Sequence, residues 1–98
     1  MSKLSIGVAC IHSGSMYINL MEHCEKIEVI GAIREGRPEI SELEFAVIAK
    51  PSLMSFLKSR FATVNQNDLE IVFTFQGIPV SILKLDHNNW NTALAEAS

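Results

Sequence analysis

Positive charge is scarce in this chain: 8 Lys and Arg stand against 11 Asp and Glu over 98 residues, a formal net charge of −3. A groove that follows nucleic-acid or lipid phosphates needs a clustered excess of cations, so no nucleic-acid partner is expected. Cysteine is sparse as well, with only Cys10 and Cys24. Two thiols in apolar surroundings do not make the disulfide framework of a small secreted domain. No stretch approaches the roughly 18 to 20 apolar residues that a membrane-crossing helix needs. Lys3 and the apolar run Leu4 to Ile11 look like the start of an export signal, but His12 ends the run before a cleavage site. A cytoplasmic, reduced chain without a membrane partner is the expectation.

Apolar side chains are what the sequence has in quantity, at 48% of residues against 19% charged. That excludes a disordered chain and fits one small domain over residues 1–98. Lys3 to Ile11 alternates as a first strand, with Leu4, Ile6, Val8 and Cys10 on one face and apolar residues on the other, the pattern of a central strand. His12-Ser13-Gly14-Ser15 breaks it, and Tyr17, Leu20, Met21 and Cys24 then recur at helical spacing, giving a helix over Ser15 to Lys26 with Ser13 or Ser15 as its cap. Ile27 to Ile33 and Ser41 to Ala49 read as strands joined by the charged turn Arg34 to Pro38. Pro51 opens a helix that runs to Ala62, with Leu53, Phe56, Leu57 and Phe61 on one stripe. Leu69 to Phe75 and Ile78 to Leu85 form a hairpin about Gln76-Gly77, and Pro79 suggests that its second strand starts near a sheet edge. Trp90 to Ala97 is a final helix, preceded by the capping cluster Asp86-His87-Asn88-Asn89.

The resulting order is β-α-β-β-α-β-β-α, an α+β class with the pattern of a ferredoxin-like or similar sandwich: a mainly antiparallel sheet with helices packed on one face. Several strands are apolar on both faces, so the uncovered face would be a larger apolar patch than monomers tolerate. A homodimer through that face or a strand edge follows, with Trp90, Phe73 and Phe75 as its contacts. The alternative cover is the C-terminal helix with Trp90 and Leu94.

Chemistry-bearing residues are few. Cys10 and His12, two apart on a strand, would point the same way as a nucleophile and base, with His23 as a further candidate. Cys10, His12, His23 and Cys24 lack zinc-ligand spacing, so no metal or other cofactor is expected. Ser13, Gly14 and Ser15, in a strand-to-helix turn, could offer backbone amides to an anion. Glu42 and Glu44 share a strand face and read as a solvated edge. The leading expectation is a non-enzymatic interaction or binding module, homodimeric, with an unidentified protein partner or a small apolar ligand. The competing class is a small enzyme with a sheet-lined apolar cavity. A small acidic domain without motifs would also suit an accessory protein of a mobile element.

Overall fold

The computed structural model describes residues 4–61 and 64–97. Lys3 and Ala62, the outer ends of the expected first strand and second helix, lie outside the described residues. The elements are β1 (Leu4–Ser5), α1 (Ile6–Met21), β2 (Cys24–Ile30), α2 (Ala32–Glu35), β3 (Glu39–Ile40), β4 (Leu43–Ala49), α3 (Ser52–Arg60), β5 (Val64–Gln66), β6 (Glu70–Phe75), β7 (Ile78–Lys84) and α4 (Trp90–Ala97). This is an α+β fold with a mixed five-stranded sheet in the order β2-β4-β7-β6-β5 and a separate β1-β3 pair.

The largest departure from the sequence reading is at the N-terminus, where a helix replaces the expected strand and the expected strand-to-helix turn. Ser5 caps α1, its Oγ accepting from the Val8 amide at 3.4 Å. Ala9, Ser13, Met16 and Leu20 form the buried stripe. Their spacing of four, three and four residues is helical throughout. One member of the stripe is a serine beside a glycine, so the run looks like a turn in sequence. The expected helix end at Lys26 also moves, because Cys24 to Ile30 joins the sheet.

β4 is the spine of the sheet. It pairs antiparallel with β2, through Val29 opposite Phe45 and Ile30 opposite Glu44, and parallel with β7, through Phe45 opposite Ile82. β7 returns from β6 through the two-residue turn Gln76-Gly77, with φ of 52° and 81°. Two consecutive left-handed residues match the twist of a hairpin, and Gly77 takes one of them without strain. Pro79 therefore begins a central strand, correcting the expected edge. It sits before the ladder to β4 starts at Leu43 opposite Val80, where its missing amide costs little. β5, unexpected from its polar sequence, adds as a short strand with Val64 opposite Phe73.

Helices pack on both sheet faces, not one, and on the second they cover only part. On the first, Phe45, Val47, Ile71, Val80 and Ile82 are buried beneath Met16 and Leu20 of α1 and Leu53 and Leu57 of α3. On the second, Ile30, Ala46 and Ile48 are buried with Trp90 of α4, and Leu83, Leu85 and Leu94 pack around them. Asp86 fixes the approach of α4, its Oδ1 accepting from the amides of Asn88 and Asn89, both at 2.9 Å. Part of the face assigned to a partner chain is thus covered by the chain's own last helix. Phe73 and Trp90 are both buried and offer no surface to a partner. Phe75 is half-buried against Phe61. Among the described residues, no helix is long and apolar enough to cross a membrane.

Replacing Trp90 with alanine removes the plug from the second face and should cost about 3 kcal/mol in urea unfolding. A loss well under about 1 kcal/mol would mean that α4 does not seal that face.

Candidate functional site

α4 leaves the leading half of the second face open. Alternation along the strands puts Glu44 of β4, Ser81 of β7 and Val72 of β6 side by side there, since Glu44 pairs with Ser81 and Ser81 with Val72. Glu42 lies two residues ahead of Glu44. Glu44 is half-buried, and β4 lies between two other strands, so its carboxylate belongs to a central strand and not to a solvated edge, while Glu42 stands in the bend just before β4. Ser81 Oγ donates to Glu70 Oε2 at 2.8 Å. The patch is a shallow acidic and hydroxyl-bearing surface, suited to accepting hydrogen bonds or holding a cationic group.

Gly31 holds this patch in place. Its φ is +74°, and a Cβ built there would overlap the Glu44 carboxylate. A side chain is therefore excluded twice, by backbone conformation and by the neighbouring acid. The sequence reading placed Gly31 inside a strand and Glu44 on an edge. The available signal is Glu44, a single glutamate in an otherwise apolar strand.

The expected nucleophile and base do not meet. Cys10 and His12 lie on α1, where a separation of two residues turns side chains apart by about 200°. Cys10 is exposed, while His12 is half-buried with its ring edge-on to Phe75 at 6.0 Å. His23 is in the turn after α1, stacked on Phe56 at 4.4 Å with Nδ1 2.8 Å from Ser52 Oγ. It ties that turn to α3. Cys24 is buried, and burial pushes its thiol up to about 11 against the smaller lowering effect of Lys50. Such a thiol is inert, the opposite of an activated nucleophile. Among the described residues no group of three or more His, Cys, Asp or Glu side chains could hold a metal ion.

The expected anion-binding turn is absent for a simple reason: Ser13, Gly14 and Ser15 are in the middle of α1, where backbone amides are committed to the helix. Ser13 is buried, and its Oγ has no hydrogen-bond partner. It lines an open cleft of about 630 Å³ between α1, β2 and α2, with Cys10, Gly14, Tyr17, Ile18, Val29 and Ile33. The ion pair Arg34–Glu28, at 3.9 Å, sits at this cleft. Arg37 is engaged by Glu35 at 3.1 Å.

This arrangement of sheet and helices has a known counterpart. The fold is similar to that of polymerase beta from Leishmania infantum. The ternary gap complex of that enzyme superposes with a TM-score of 0.76 at 15% identity, covering 98% of this chain and 42% of the other. Its ternary P/T complex gives the same TM-score and identity, covering 98% of this chain and 48% of the other. The chain thus spans less than half the length of these polymerases, and at this identity the likeness is one of fold. No family model and no curated protein matches the sequence.

Two outcomes are expected from this geometry. Gly31→Ala should destabilise the protein by about 2 kcal/mol, and by less in a Glu44→Ala background, where only backbone strain remains. Equal costs in both backgrounds would separate Gly31 from Glu44. A thiol reagent at pH 8 should modify Cys10 readily and Cys24 only after unfolding. The Cys24 thiol is raised in the folded state from its ordinary 9.0, so its neutral form contributes stability that is complete below about 9 and lost as pH rises through about 11. Rapid double labelling of the folded chain at pH 8 would contradict the burial of Cys24.

Proposed function

We propose that the chain is a non-enzymatic binding module on a polymerase-like scaffold, and that it acts as a homodimer. The observation that carries this reading is the residue opposite Glu44 on the parallel neighbour. It is Ser81, a hydroxyl, and that hydroxyl is already bonded to Glu70. Polymerases transfer nucleotidyl groups with two metal ions about 3.5 to 4 Å apart, clamped by converging oxygen ligands. Glu42 and Glu44, with a serine beside them, do not fit two such ions, and no step through metal is assigned to this site. Charge supports the same reading. The open half-face carries Glu44 and Glu70, with Glu42 in the bend just ahead, on a chain of net charge −3, and an acidic surface repels nucleic-acid phosphates. The groups it can engage are cationic or hydrogen-bond-donating, as on a basic protein segment.

A second reading, a small apolar ligand with one polar group, is favoured by the cleft of about 630 Å³ and by the buried Ser13 Oγ within it. A copurifying organic mass in native mass spectrometry would favour that reading.

The test uses the intact chain with a gapped DNA duplex, deoxynucleoside triphosphates and either Mg²⁺ or Mn²⁺. Neither nucleotide incorporation nor a change in DNA fluorescence anisotropy at physiological salt is expected. Template-dependent incorporation abolished by Glu42→Gln or Glu44→Gln would overturn the reading and make the chain a small enzyme.

A further inference from the structure

α1 spans 16 residues without a charged side chain. Its inward stripe is buried, yet one outward side is apolar too, with Ile11, Ile18 and Met21 exposed at 71, 68 and 49% on the side of Gly7 and Gly14, while His12, Ser15 and Asn19 make the other flank polar. A helix with a second, exposed apolar stripe has a surface suited to a partner. Building on the homodimeric reading above, we infer that α1 is the dimer contact, with two copies of the helix lying antiparallel about a twofold axis at Gly14.

Three observations choose a second copy as the occupant. The first is glycine. Gly7 and Gly14 lie within α1, and a Cβ at either would meet nothing within 4 Å. Glycine weakens a helix relative to alanine, and nothing inside the chain requires it at these positions. Close approach of a second backbone does require it.

The second is register. An antiparallel twofold at Gly14 sets Gly7 against Met21 and Cys10 against Ile18. Small residues of the first half then receive bulky residues of the second. A parallel pair would put glycine on glycine and methionine on methionine, leaving gaps beside clashes. Ile18 of the second copy would enter the cleft beside Cys10 and Gly14, which both helices present.

The third is charge and area. Two copies of an acidic chain repel each other, and α1 gives them a charge-free surface on which to meet. Ile11, Ile18 and Met21 present roughly 350 Å² of apolar surface per copy, most of the apolar share of a standard interface of about 800 Å² per partner.

Sedimentation velocity and native mass spectrometry at micromolar concentration test the inference. The wild-type chain should be a dimer. Ile18→Glu should weaken it by about a hundredfold or more, because twofold symmetry buries two new carboxylates. Its circular dichroism should be unchanged, since Ile18 is exposed in the single chain. With Cys10 retained, Ile18→Cys should form a disulfide-linked dimer on mild oxidation, because the axis sets this position of one copy against Cys10 of the other. A dimer unaffected by Ile18→Glu, or an Ile18→Cys chain that does not cross-link, would overturn the α1 contact while leaving the homodimer. A wild-type monomer would overturn both, and the nucleotide-incorporation assay would still stand as the separate test of the non-enzymatic reading.

Discussion

Burial of β4 on both faces is the constraint on which the rest of the molecule depends. Phe45 and Val47 point into one layer and Ala46 and Ile48 into the other, all buried. A strand placed this way needs a neighbour on each edge and cover on each side. β2 and β7 supply the edges, α1 and α3 one cover, and α4 the other. Only the leading end of β4 escapes α4. That is where Glu44 can stand in an otherwise apolar strand without the cost of burying a charge in a dry core.

What could be read from sequence follows the same division. β4, α3, the β6-β7 hairpin and α4 were legible because each has one dominant signal. These signals are apolar alternation, a proline-led helical stripe, a Gln-Gly turn between alternating runs, and a capping cluster before an Ala-rich segment. α1 was not legible, because two periodicities overlap in it. Leu4, Ile6, Val8 and Cys10 satisfy period two, while the true stripe through Ala9, Ser13, Met16 and Leu20 includes a serine next to glycine. Several candidate sites depend on that one segment. Cys10 with His12, and Ser13 with Gly14 and Ser15, had meaning only if a strand ended between them. The local pattern around Glu42 and Glu44 points to an edge, since strand order is a long-range property that local pattern does not encode.

The likeness to polymerase beta and the reading as a binding module are compatible because a fold fixes where side chains stand and not which ones stand there. The sheet offers a central strand with one open end, a glycine turn beside it and a parallel neighbour. The chemistry of that location depends on the residue types there. Beside Glu44 that neighbour carries Ser81, whose hydroxyl donates to Glu70. The unusual feature of the chain then lies elsewhere, on a helix with a second, exposed apolar stripe.

The parallel pairing of β4 with β7 has a consequence for how the chain folds. Phe45 and Ile82 are partners across the whole of α3 and the β5-β6 segment, whereas the other ladders in the sheet join strands that are antiparallel. The sheet is therefore two locally closed halves, β2-β4 and β5-β6-β7, joined along one seam. The β6-β7 hairpin can close on the microsecond scale, but the seam must first meet the loop-closure entropy of the intervening chain. Until it forms, the apolar edges of β4 and β7 are both unpaired. The central strands, the best protected in the finished molecule, are its most aggregation-prone surfaces during assembly.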